Sequence, residues 1–404
     1  MTCSMAEQRN PKRSRLAGIL ASLIVFVIAY TVLDFGIGHF ACARKLERVK
    51  EEIRKEQDMS VEGGHGLRSL VFHHGMRANY DGTAEWGDRT YHLRTDSLGF
   101  KDRECREISL TNSAGSLLFL GDSFTEGIGV EASSNFVGCI EATLRNGSPD
   151  IQVLNAGVSS YSPKLCLLKA VHYRENVGLH FDEVWIFPDC SDVQDEMIYG
   201  AFAPAGLTNS PPLFPAIRFD PLPNNPGFFQ RSLTYRTLCR LTTGNDPWHR
   251  RRYRLAGSEI LLDYWVRDAW LWNSTAYESW GRTGLESARF HMKELVGYLR
   301  RLGVRVGLGV YPWPDEILRW RGRSLHEDFW REFAKAMDVP LLDLYPAFLS
   351  GEPKETVRRF FIKGDVHWNE EGHGLVAAQW LKFRESLTNW PALTALLVPR
   401  ALPQ

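Results

Sequence analysis

The chain has 404 residues, enough for one large domain or two ordinary ones. Its apolar fraction of 44% and charged fraction of 24% are those of a globular protein and exclude wholesale disorder. Lys plus Arg and Asp plus Glu balance at 48 each, so the basic surface that a nucleic-acid partner requires is lacking. Seven Cys form no CxxC pair and no regular spacing, which argues against a zinc site and against a disulfide scaffold, leaving one isolated disulfide open. Thirteen Trp fit either large packed cores or a carbohydrate or lipid surface.

After a short tail (1–15), Leu16 to Leu33 form an 18-residue run without a charge, just long enough to cross a bilayer. The alternative is a cleaved signal peptide, with Ala41-Cys42-Ala43 as a small-x-small site, but the apolar run exceeds the usual 7–15 residues. A retained anchor over 16–37 is therefore expected. Arg9, Lys12, Arg13 and Arg15 place the tail in the cytoplasm, whereas Arg44, Lys45, Arg48, Lys50, Arg54 and Lys55 argue the reverse. The general behaviour of signal anchors decides for tail inside and the remaining chain periplasmic or extracellular. Residues 44–57 read as a short charged helix within a juxtamembrane linker and lead-in, 38–89.

From about residue 90 strands and helices alternate, the pattern of a mostly parallel sheet with helices on both faces. Strands are expected at Ser116–Leu120, Ile151–Leu154, Glu183–Phe187, Val304–Tyr311 and Leu341–Tyr345. Helices are marked by Phe136, Val137, Ile140 and Leu144, by Leu165 to Val171, by Leu285 through Leu299, and by Leu375 through Phe383. Residues 193–283 interrupt this order with a Pro- and Asn-rich stretch (203–226) and a run of Arg250, Arg251, Arg252 and Arg254 among Trp248 and Tyr253. This insertion reads equally as a lid over the site and as a structural cap, and the Arg run equally as a plain surface and as a contact for anionic lipid or glycan. Residues 391–404 form a tail.

Chemistry concentrates at two loops. Gly121-Asp122-Ser123 follows an apolar strand and precedes a helix, which exposes Ser123 at the carboxyl edge of the sheet and turns its N–H toward a developing oxyanion. Asp365-Val366-His367 follows the last strand; His367 is the candidate base and Asp365, two residues earlier, the group that orients it. The acidic set Asp189, Asp192, Asp195 and Glu196 lacks cation-ligand spacing and reads as solvated loop. Tyr311-Pro312-Trp313-Pro314 fits either an aromatic platform for sugar or a packed turn. His73 and His74 have no evident partner, and His373 reads as structural.

These blocks resemble those of the SGNH/GDSL hydrolase superfamily over roughly residues 90–390. The resemblance implies a three-layer α/β fold with a central mostly parallel sheet, here carrying a large insertion and one N-terminal transmembrane helix. It implies Ser123 as nucleophile, Asp365 and His367 as acid and base, and Gly157 of Val153-Leu154-Asn155-Ala156-Gly157 as an oxyanion-hole donor beside the Ser123 N–H. Two departures stand out. Ser191 occupies the place where the family carries an oxyanion-hole Asn, and acts either as a substitute donor or as a turn residue. Asp-x-His replaces Asp-x-x-His, a feature resembling the polysaccharide O-acetyltransferase branch. The implied activity is hydrolysis or transfer of O-acyl groups, acetyl foremost, on a small ester or an acylated carbohydrate of the envelope, with no cofactor or metal. The alternative is a catalytically weak binding or scaffold protein within an envelope complex.

Overall fold

The structure is a computed structural model that describes residues 11–58, 64–111, 115–147, 149–200, 202–204, 219–243, 247–248, 251–255, 261–262, 267–320, 322–388 and 390. The Pro- and Asn-rich stretch lies mostly outside these residues, as do the C-terminal tail and the side chains of the Arg250–Arg254 run. The chain divides into two compact units: residues 1–60 with 218–265, and residues 61–217 with 266–404.

The larger unit is built on an eight-stranded sheet. Its strands in chain order are β1 (Asp81–Trp86), β2 (Arg89–Thr95), β3 (Lys101–Asp102), β4 (Ser116–Gly121), β5 (Gln152–Asn155), β6 (Glu183–Phe187), β7 (Arg305–Val310) and β8 (Leu341–Asp343). They lie side by side as β8-β7-β6-β4-β5-β3-β2-β1. The five strands from β4 to β8 are parallel. β3, β2 and β1 extend the sheet antiparallel beyond β5. Counted among the parallel strands alone, the order is second, first, third, fourth, fifth. It reverses between β4 and β6, and in such sheets the crevice at the carboxyl ends of the strands at this point receives ligands.

Because side chains alternate across a strand, the apolar strands serve two helical layers. Leu118 and Leu120 of β4, Val184 and Ile186 of β6, and Leu308 and Val310 of β7 point to one face. There they meet helices Pro163–Val171, Arg282–Arg301 and Leu325–Met337 through Leu165, Met292, Leu295 and Trp330. Phe119 and Trp185 point to the other face, where Phe119 packs edge-on against Phe136 and where Phe119 and Trp185 both touch Trp380. Phe136 and Trp380 belong to helices Phe136–Gly147 and Glu370–Ser386. This is the three-layer α/β architecture expected from the sequence, with strands and helices where the apolar periodicity put them. Much of the Trp surplus is core: Trp185, Trp270, Trp280, Trp330, Trp368 and Trp380 are all fully buried.

A buried ion pair is part of this core. Glu183, at the start of β6, is gripped by Arg384 through two hydrogen bonds of 2.7 and 2.8 Å, and receives the Trp185 indole N–H at 2.7 Å. Glu183 and Arg384 are both buried, so removing one partner strands the other's charge in a low-dielectric interior. Arg384→Ala is expected to destabilise the larger unit by about 3 kcal/mol, the lower end of the range for broken buried pairs, because Arg305 still reaches Glu183. Urea denaturation should show a lowered midpoint with an unchanged slope.

The smaller unit is organised by α1 (Pro11–Asp58), one uninterrupted helix of 48 residues. The apolar run and the charged stretch after it are thus a single rod, not an anchor followed by a separate short helix. Its segment Gly18–Glu51 is long and apolar enough to cross a membrane and has its apolar window wholly unburied. Around it lie helix Leu233–Thr243 and an antiparallel sheet of strands Phe219–Pro223, Arg251–Leu255 and Leu261–Leu262. The insertion read from the sequence is therefore split. Asp192–Tyr199 forms a helix of the larger unit, residues 218–265 join α1, and from residue 266 the chain belongs to the larger unit again.

Candidate active site

Gly121 ends β4, and the chain turns at once into helix Ser123–Glu126, the first of the two positions flanking the strand-order reversal. Asp122 caps this helix by accepting the Phe124 N–H at 3.0 Å. The Ser123 N–H lies in the first helical turn, where no intrahelical carbonyl can take it, and so remains available to a ligand. Gly157, from the loop after β5, presses against the same turn: a Cβ there would stand 2.4 Å from the Glu126 nitrogen. Glu126 in turn accepts the Ser159 N–H and hydroxyl, each at 2.7 Å, and fastens that loop to the nucleophile turn.

The loop before helix Glu370–Ser386 supplies the other half. His367 Nε2 lies 2.8 Å from Ser123 Oγ, and His367 Nδ1 lies 2.5 Å from Asp365 Oδ1. The same carboxylate oxygen accepts the His367 backbone N–H at 2.9 Å, which fixes the turn joining the two residues. Asp365 Oδ2 accepts the indole N–H of Trp86 at 3.0 Å. Burial pushes the Asp365 carboxyl upward, yet the hydrogen bonds and charge of His367 and the Trp86 N–H outweigh it and hold the group below the usual carboxylate range. The imidazole is boxed in by rings, with Phe124 4.8 Å away and Trp86 edge-on at 5.2 Å. Ser123 and His367 retain only a sliver of exposure. A hydroxyl, an imidazole and a carboxylate in this chain can move one proton from oxygen to nitrogen and stabilise the resulting imidazolium.

Trp86 was not legible as a site residue, because it lies on β1 at the antiparallel end of the sheet, ahead of the strand–helix alternation. Its role is measurable. Trp86→Phe keeps the ring against His367 but removes one hydrogen bond to a charged acceptor, and about a tenfold fall in kcat is expected. Stopped-flow or steady-state turnover of an activated ester, with near-UV circular dichroism as the folding control, checks it.

The acidic set after β6 differs from the expectation of a solvated loop. Asp189, Asp192, Asp195 and Glu196 are all buried, and no cluster able to hold a metal occurs among the described residues. The loop turns inward beneath the nucleophile. Ser123 Oγ also reaches Asp122 Oδ2 at 3.2 Å, and Asp122 and Asp189 are within hydrogen-bonding contact of each other. Two buried carboxyls in contact cannot both ionise, so the pair keeps a proton. Burial first, then the Asp189 charge and hydrogen bond, drive Asp122 well above the carboxylate range. Burial also raises Asp195, to about 7, while the Arg267 guanidinium in contact with it pulls the other way. Backbone groups fix Asp189: its Oδ1 accepts the Ser191 N–H at 3.0 Å, and its own N–H donates to Asp192 Oδ2 at 3.1 Å.

The two remaining oxyanion-hole candidates are placed as follows. The Gly157 N–H, expected to face the oxyanion, donates to Asn155 Oδ1 at 3.1 Å; a substrate oxygen would have to displace that acceptor. Ser191 begins helix Asp192–Tyr199 at its N-cap position, is fully buried, and its hydroxyl has no hydrogen-bond partner among the described residues.

The other aromatic and histidine candidates are structural. Tyr311 and Trp313 are buried and form no open platform; Tyr311 packs against Phe124 and Trp368, and its hydroxyl donates to Asp122 at 3.4 Å. His373 accepts the Phe136 N–H at 3.2 Å. His74 pairs with the Ser159 carbonyl at 2.8 Å and with His73 at 2.7 Å, and burial lowers it to about 4. The six described cysteines are free.

No family model matches the chain, and no curated protein does. Among solved structures it is similar to a lipolytic protein of the G-D-S-L family from Veillonella parvula, at 13% identity and a TM-score of 0.37, over 69% of this chain and 100% of that one. The esterase EstA from Pseudoalteromonas sp. is similar at 11% identity and a TM-score of 0.37, over 68% of this chain and 100% of that one. A catalytic mutant of an acetylxylan esterase from Geobacillus stearothermophilus is similar at 15% identity and a TM-score of 0.37, over 68% of this chain and 96% of that one. At such identities and scores, fold and site rest on the strand order and the distances given above.

Proposed function

We propose that this chain is a membrane-tethered serine enzyme of the SGNH/GDSL kind that hydrolyses or transfers O-acyl groups, acetyl foremost, on a carbohydrate of the cell envelope. The observation that carries the reading is the hydrogen-bonded series Ser123 Oγ, His367 Nε2, His367 Nδ1, Asp365 Oδ1 at 2.8 and 2.5 Å, set at the carboxyl edge of a parallel sheet. In the reaction His367 takes the Ser123 proton as Oγ bonds to the ester carbonyl carbon. The carbonyl oxygen, now an anion, is met by the Ser123 N–H and the Ser191 hydroxyl. His367 then returns the proton to the departing alcohol as the carbon–oxygen bond breaks, leaving an acyl-serine. Water or an acceptor hydroxyl, deprotonated by the same imidazole, releases the acyl group; the first is hydrolysis and the second transfer.

In this reading α1 holds the enzyme to the membrane over residues 16–37, with the short tail in the cytoplasm and the larger unit outside. A fluorophosphonate probe tests the nucleophile: intact mass should show one adduct, located by peptide mapping at Ser123. Absence of any adduct on folded protein would refute the enzyme and leave a binding or scaffold role. Turnover of a pre-formed acetyl-enzyme with and without added polysaccharide then separates hydrolase from transferase.

A further inference from the structure

Four residues of α1 spaced by four, Tyr30, Asp34, Gly38 and Cys42, fall on one face of the helix. Every one of them meets the segment 228–236. The Tyr30 hydroxyl lies 2.7 Å from Thr234 Oγ1. Asp34 accepts the Ser232 hydroxyl at 2.5 Å and the Thr234 N–H and hydroxyl at 2.9 Å each, and so caps helix Leu233–Thr243 from outside its own chain segment. Gly38 lets the backbone approach: a Cβ there would stand 1.7 Å from the Arg231 carbonyl oxygen. Cys42 Sγ lies 3.4 Å from the buried Arg236 guanidinium. Phe228 stacks on Phe35 at 4.8 Å.

The docked segment is thereby fixed at the end of the apolar run, yet it turns large apolar side chains outward. Phe228, Phe229, Leu238 and Leu241 are 68%, 67%, 58% and 80% exposed. Leu238 and Leu241, three apart, share one helical face, and Leu33, Ile37 and Phe40 of α1 are exposed as well. Two hydroxyls of this helix are satisfied internally: Thr242 bonds to the Leu238 carbonyl at 2.9 Å and Thr234 to Asp34. That is the condition for a polar side chain to enter an apolar medium. Residues 224–243 contain no acidic residue, and besides the buried Arg236 they carry Arg231 and the exposed Arg240, which suits anionic headgroups. Large apolar side chains held exposed on a segment docked to a helix long and apolar enough to cross a membrane are costly to leave in water.

We propose that segment 228–243 is an interfacial element of the membrane anchor, with Phe228, Phe229, Leu238 and Leu241 inserted among the lipids beside α1. The insertion thus serves, in this part, as a membrane foot. The inference rests on α1 crossing the bilayer, and its test separates the two claims.

The full-length chain is reconstituted in phosphatidylethanolamine/phosphatidylglycerol vesicles with a photo-crosslinker at one position at a time. The variants are Leu238→p-benzoylphenylalanine and Leu241→p-benzoylphenylalanine, with Val25→p-benzoylphenylalanine inside the apolar run and Leu110→p-benzoylphenylalanine on the larger unit as references. The expected result is phospholipid adducts by mass spectrometry at 25, 238 and 241, and none at 110. Adducts at 25 without any at 238 or 241 overturn the interfacial element and leave the anchor standing. Protein–protein cross-links at 238 and 241 in place of lipid overturn it in favour of a second copy of the chain or another protein on this face. Absence of lipid adducts at 25 removes the anchor, and the inference with it.

Discussion

Ser123→Ala and His367→Ala are each expected to lower ester turnover by about ten-thousand-fold or more, and the double variant to be scarcely worse than either single one. The non-additivity is the informative part. Ser123 Oγ and His367 Nε2 stand 2.8 Å apart and share one proton transfer, so losing either end removes the same step. Neither change should unfold the chain. Ser123→Ala deletes one oxygen whose contacts are His367 and the Asp122 carboxyl at 3.2 Å. His367→Ala frees Asp365 Oδ1 from the ring, but the His367 backbone N–H at 2.9 Å remains to hold the turn. Steady-state kinetics on an activated acetyl ester, with circular dichroism as the control, decides the matter. Turnover near that of the unmodified chain in either variant would show that this serine and histidine are neighbours without a common reaction.

What could be read ahead of the structure follows from which interactions are local in sequence. The inner parallel strands announce themselves through unbroken apolar runs because they are buried on both faces, and the helices through apolar spacing because each buries one face. Ser123 is legible for a related reason, since it directly follows an apolar strand, whereas the Asp365–His367 pair stands on the turn between helices Pro353–Phe360 and Glu370–Ser386 and is legible only through its own residue types and spacing. Trp86 gives no such signal. It reaches Asp365 only because an antiparallel hairpin widens the sheet, a pairing between residues 279 positions apart. The Asp122–Asp189 contact escapes for the opposite reason: acidic residues on a loop are ordinarily solvated, and nothing local says that this loop turns inward to share a proton. The insertion's division into two units escapes as well. The four-residue spacing of Tyr30, Asp34, Gly38 and Cys42 is present in the sequence, yet such a stripe acquires meaning only once a partner segment is placed on it.

Ser191→Ala is expected to lower kcat by about 10- to 1000-fold with KM little changed, because a donor to the oxyanion strengthens mainly in the transition state. Because Ser191 is fully buried, a substrate oxygen meets its hydroxyl only once the residues enclosing it give way. The Ser191 hydroxyl is fully buried without a partner among the described residues, a state that costs on the order of 1–3 kcal/mol and calls for a reason. Its backbone is held by Asp189, which in turn contacts the Asp122 carboxyl beside the nucleophile, so the loop's position is tied to the nucleophile turn. The Gly157 N–H is engaged by Asn155, which leaves the oxyanion with the Ser123 N–H and whatever Ser191 offers. Ser191→Asn carries a longer donor but must fit where the serine is already enclosed, so its activity should lie between those of the serine and alanine forms, limited by crowding. Kinetics on both variants with folding checked by circular dichroism reads the outcome directly. An unchanged kcat in Ser191→Ala makes the residue a helix-starting turn and nothing more, and the second donor would then have to be Gly157 after release of Asn155.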